Sequence, residues 1–217
     1  MTRSAKDHAL AIINAGLNLV PVIGGPIASL IGDYVPTSTQ AAIDRSTELL
    51  AQKLDALKDR IDIDAVNKDD FSELFKSCYL VIVRTNREEK LRASAAILAN
   101  LLLRPGDPAK SSYEELDHLV RCIDALSIGA ISVLGAARTI AATSGQGAQR
   151  SFQFDQLRNA FPRFDASLIL SLVSELSAFN LVRTQEGMIR MPDHSEMLIE
   201  ITPIGARLVE RFIEGRP

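Results

Sequence analysis

The side chains here that could do chemistry are three histidines, two cysteines and a few paired carboxylates. His8, His118 and His194 have no mutual spacing that suggests a shared metal, and Cys78 and Cys122 are the only two cysteines. Structural zinc sites draw their ligands from short, fixed Cys and His spacings, so no metal site is expected. Asp69-Asp70 and Glu88-Glu89 are adjacent acids that could pair for proton transfer. Both sit where a helix should begin, and acids in a first turn are favoured by the helix dipole. Gly24-Gly25 has the suppleness of a phosphate-binding turn, but no Gly-Lys-Ser/Thr follows it and no strand-like run precedes it. No nucleophile-elbow pattern occurs. The expectation is a protein that is not an enzyme, with no cofactor, no metal and no small-molecule substrate.

The elements that would position a site are more informative. From Ala9 to Gly32 the chain runs through 24 residues without a charge. A bilayer span needs about 20 apolar residues. This stretch is interrupted by Pro21, Gly24, Gly25 and Pro26, which make a hinge, and is wetted by Asn14 and Asn18. A kinked apolar hairpin fits best. Leu17, Val20, Val22, Ile23, Ile27, Leu30 and Ile31 are its candidate contact residues. Two readings stand side by side: the hairpin is the buried heart of a helical domain, or it is released to meet a membrane or a partner. Irregular segments are tolerated in bilayers where neighbours satisfy the freed backbone groups. The first eight residues have mixed charge and no secretory pattern, and the two cysteines suggest a reducing compartment. A cytoplasmic protein, membrane-associated when triggered, is the expected setting.

Beyond Pro36 the pattern is helical. Thr37 or Ser38 can cap a helix to about Arg60, with a seam of Ile43, Thr47, Leu50, Leu54, Leu57 and Ile61. That seam is too short to favour a coiled coil over one face of a bundle. Phe71, Leu74, Phe75, Cys78, Tyr79 and Ile82 form a broad core stripe. Thr85 and Glu88 have capping-box spacing and predict a helix restart, with Leu91, Ala95, Leu98 and Leu102 as its apolar face. Arg104-Pro-Gly-Asp-Pro108 ends that helix. Ser112 and Glu115 open another through Leu116, Leu119, Val120 and Ile123.

At Ser127 the pattern changes. A helix over 128–142, a small-residue loop over 143–150, and helices over 154–160 and 166–179 come first. Two or three short strands follow, at Leu181–Thr184, Met188–Met191 and Met197–Ile201. Thr202 caps a last helix with Pro203 at its first position. Leu208, Phe212 and Ile213 are expected along its face. The fold class predicted is mainly α: an N-terminal helical bundle over 1–126 and a C-terminal winged-helix-like α+β domain over 127–217.

Particular residues carry a family likeness. They are Glu89-Lys-Leu-Arg-Ala-Ser-Ala-Ala-Ile-Leu-Ala-Asn-Leu-Leu-Leu103, the stretch Leu172–Arg183, and Ile201-Thr-Pro-Ile-Gly-Ala-Arg-Leu-Val209. Over residues 85–217 the chain resembles the Abi-alpha family of prokaryotic proteins associated with abortive infection. The resemblance implies a role in phage defence or stress and supplies no catalytic residues.

A winged helix raises the question of nucleic acid. The helix that would enter the groove, 166–179, has no Lys or Arg, and residues 127–217 hold nine Arg, no Lys and nine acids. Cationic side chains supply most non-specific affinity for DNA, so DNA is disfavoured. A protein partner or self-association is expected, with a structural subunit of a larger complex as a further possibility. The alternative is a transcriptional regulator that dimerises through its helical half, with Arg158, Arg163, Arg183 and Arg190 as its nucleic-acid contacts.

Overall fold

The computed structural model describes residues 37–143, 151–185 and 197–214. The apolar stretch with Leu17, Val20, Val22, Ile23, Ile27, Leu30 and Ile31, its hinge at Pro21, Gly24, Gly25 and Pro26, the loop over 144–150 and Arg190 lie outside the described residues. So does the strand expected over Met188–Met191. The chain is mainly helical, with one small antiparallel sheet in its C-terminal part. It divides into two compact units between Asp124 and Ala125. Among the described residues no helix is long and apolar enough to cross a membrane.

The N-terminal unit holds α1 (Thr37–Ala56), α2 (Lys68–Arg84), α3 (Glu88–Leu101) and α4 (Tyr113–Ala125). α1 packs on α2 and α3, and α2 packs on α3. The one-sided helices are where the apolar spacing places them. Phe71, Leu74, Phe75, Cys78 and Ile82 of α2 are buried, as are Leu116, Leu119, Val120 and Ile123 of α4, whereas Tyr79 of the expected stripe is half-buried and Val81 is buried instead. Asn67 caps α2 by accepting the Asp69 and Asp70 N–H groups, so that acid pair lies in a first turn facing the positive end of the helix.

Three expectations need correction. The buried face of α1 is Ala42, Ser46, Leu49, Leu50 and Leu54, while Ile43, Thr47 and Leu57 are half-buried. The α-helix stops at Ala56 and a 3-10 turn follows over Lys58–Arg60, so the seam does not continue to Leu57 and Ile61. Ile61 then leaves the helical phase altogether and bridges to Leu103. Second, Thr85 and Glu88 make no capping box. Thr85 closes α2, its hydroxyl accepts the Arg87 N–H, and Glu88 instead receives a two-pronged bond from Arg45 of α1 at 3.0 and 2.6 Å. Both partners are well exposed, so solvent screens this pair and it adds little to stability. Third, α3 is not one-sided: every residue from Ala93 to Leu103 is buried. A helix apolar all round belongs at the centre of its domain. Among the described residues α3 holds that central place in the N-terminal unit.

The loop after α3 closes over it through a buried polar network. Asn100 donates to the Ala109 carbonyl at 2.8 Å and accepts the Ser111 N–H at 2.9 Å. Arg60 clamps Asp107 with two bonds, at 2.9 and 2.6 Å, and Asp107 also accepts the Ala109 N–H. The Arg60 fork first, and the Ala109 N–H second, hold the Asp107 carboxyl well below the usual carboxylate range. An unfolded Asp titrates near about 3.9. This site therefore contributes stability above that pH, and the contribution is lost as pH falls through it toward the depressed folded value. The stability difference between wild type and Asp107→Asn should be flat from about pH 8 to 5 and shrink below about pH 4. Paired denaturant titrations measure it, and a gap that does not vary with pH would mean the clamp is not ionic.

The C-terminal unit holds α5 (Ile128–Thr143), β1 (Ser151–Gln153), α6 (Phe154–Ala160), α7 (Ala166–Ala178), β2 (Val182–Gln185), β3 (Leu198–Ile201) and α8 (Pro203–Arg207), which runs on as a π-turn over Leu208–Ile213. The sheet order is β1-β3-β2, antiparallel throughout. Phe152, Val182, Ile199 and Ile201 face inward and are buried. Ser151, Gln153, Leu198, Glu200, Arg183 and Gln185 share the outer face, where Arg183 lies across from Glu200. α5 packs on α6, α7, β1 and β3, and α7 packs on β2. The strand β1 is absent from the sequence reading. The inward residue near the start of α7 is Ile169, buried, while Leu168 is 42 % exposed. The last helix buries Leu208 and Phe212 as expected, but Ile213 is only half-buried, where the widened π-turn alters the helical phase.

Candidate functional site

α7 is the helix that the sequence assigns to groove entry in a winged-helix reading, and its surface follows from how its two ends are held. Asp165 caps the N-terminus, accepting the Leu168 N–H at 2.8 Å and the Ser167 hydroxyl at 2.6 Å. These two donors, the Ser167 hydroxyl first, draw its carboxyl below the ordinary value. Glu175, the acid within the helix, is turned to α5: it accepts both the N–H and the hydroxyl of Ser127. Ser127 in turn accepts the Ala130 N–H and so caps α5. Each carboxylate is thus engaged at a helix start. At the far end Asn180 adopts a left-handed conformation (φ 53°), and the Leu181 N–H returns to the Leu176 carbonyl at 3.0 Å. This is a Schellman-type stop.

What remains exposed on α7 is Ser167, Leu168, Ser171, Ser174 and Ala178. Ser171 turns its hydroxyl back to the Ser167 carbonyl. The buried side is Ile169, Leu172, Val173 and Leu176. The outward surface of this helix is therefore small, neutral and weakly apolar.

Three of the four arginines named from the sequence lie among the described residues, and none of them is on α7. Arg158 is exposed near the end of α6 and pairs with Asp155 one turn earlier, at 3.8 Å. Arg163 is exposed in the turn between α6 and α7, beside the stacked Phe161 and Phe164 rings. Arg183 is exposed on β2, bonds to the Asn180 side chain at 3.5 Å and lies across from Glu200. Two of the three thus have a neighbouring acid or amide to answer to. Arg138 and Glu210 form a further part-buried pair between α5 and the C-terminal turn. The Glu175–Ser127 contact escapes sequence reasoning because its partners are 48 residues apart and belong to no motif.

Other chemistry-bearing groups are placed structurally. Cys78 is fully buried and its thiol is pushed far up by burial. Cys122 is buried on α4 with its sulfur 3.5 Å from His118 Nε2, and burial raises it to about 11. A thiol held protonated is a poor nucleophile at neutral pH. Among the described residues no group of three or more His, Cys, Asp or Glu is arranged to hold a metal ion. Compared with family models, curated proteins and solved structures, the chain finds no match.

Proposed function

We propose that this is a non-enzymatic docking protein of phage defence or stress response. In this reading the C-terminal unit is winged-helix-like and binds a protein partner through the outer face of α7, and residues 9–32 supply a membrane or self-association contact. The order α5, β1, α6, α7, β2, β3, with β3 between β1 and β2, supports the winged-helix reading. The observation that carries partner docking over DNA is the exposed face of α7: three serines, a leucine and an alanine, with no cation. A helix laid in the major groove works through Lys and Arg to phosphates and base edges. The defence setting rests on the resemblance of residues 85–217, and the plating efficiency of phage on cells with and without the protein tests it.

Electrophoretic mobility shifts on duplex DNA at physiological salt are expected to show no specific complex. A nanomolar shift with a steep salt slope would overturn protein docking and make Arg158, Arg163, Arg183 and Arg190 contacts of a transcriptional regulator. A photo-crosslinking side chain at position 171 should capture protein and not nucleic acid.

The membrane arm has its own test. If the full chain floats with liposomes, Ile23→Glu or Ile27→Lys should remove it. A charge at bilayer depth costs about 2.5–3.5 kcal/mol, roughly a hundredfold in partitioning. Wild-type protein that stays at the bottom of the gradient in every lipid composition would leave residues 9–32 as core or as a self-association contact.

A further inference from the structure

We draw no further inference here: the strongest candidate, the outer face of the three-stranded sheet where the exposed Leu198 lies between Gln153 and Gln185, is unpartnered among the described residues and nothing in the structure shows what covers it.

Discussion

Ala93→Lys is expected to unfold the N-terminal unit, although the site carries only a methyl group and sits in a helix that lysine favours. Ala93 is 0 % exposed. It lies on the side of α3 opposite Leu91, Ala95, Leu98 and Leu102, the face that apolar spacing alone would bury. On a one-sided helix that position would face water, and a lysine there would change stability by about 0.5 kcal/mol or less. In the structure Ile97 and Asn100 share that side of α3, both buried, and Asn100 holds the 109–111 backbone across it. An ammonium placed there has no room and no access to water. The penalty for such an ion is several kcal/mol even after relaxation, against a total of about 5–15 kcal/mol for a typical domain. Urea titration of the full chain, followed by helical circular dichroism, measures it. Ala41→Lys, on the exposed side of α1, is the matched control and should be near neutral. If the two variants behave alike, α3 has an open side and the central position assigned to it is wrong.

The same helix shows why part of the fold is legible in the sequence and part is not. α2 and α4 bury one face each, so their apolar residues recur with the helical period, and that period points to the side that is buried. α3 buries every side from Ala93 onward. Its alanines, leucines and isoleucine have no polar face to contrast with, so the pattern identifies a helix but not its place. β1 fails for a different reason. It is three residues long, only Phe152 points inward, and its partner β3 lies nearly fifty residues on. Nothing local distinguishes it from a loop. In α7 the run Leu168-Ile169-Leu170 offers three successive apolar residues, and only packing against α5 and β2 selects Ile169 for the interior. Cap chemistry is local and survives reading in part: Ser112 and Thr202 cap where the sequence places them, and Thr85 does not. Asn67, Ser112, Asp165 and Thr202 each accept a backbone N–H where a helix begins. The neutrality of α7 is legible from composition, whereas the engagement of Glu175 by Ser127 needs the folded chain.

Gly205→Ala is expected to be the most damaging single-methyl change in the C-terminal unit, lowering its stability by about 3 kcal/mol, at the upper end of overpacking effects. The reason is the Thr202-Pro203-Ile204-Gly205 turn. The Thr202 N–H donates to the Leu181 carbonyl at 3.0 Å, its hydroxyl reaches the Asn180 and Leu181 carbonyls, and its oxygen accepts the Gly205 N–H. These bonds draw the first turn of α8 onto the backbone where α7 ends and β2 begins. A Cβ on Gly205 would stand 2.1 Å from the Leu181 carbonyl oxygen. That atom is main chain and is already fixed by Thr202, so it cannot yield as a side chain would. Relief requires moving α8 away, which would break the Thr202 bonds and loosen the buried Leu208 and Phe212 of the π-turn that packs on α5. Gly135→Ala is the counterpart. It lies inside α5 with nothing within 4 Å of the added carbon, so the same methyl should raise stability by about 1 kcal/mol through helix propensity alone. Thermal unfolding of the two variants should move in opposite directions from wild type. If Gly205→Ala is as harmless as Gly135→Ala, α8 does not rest on Leu181. The Thr-Pro-Ile-Gly sequence would then be a helix cap and nothing more.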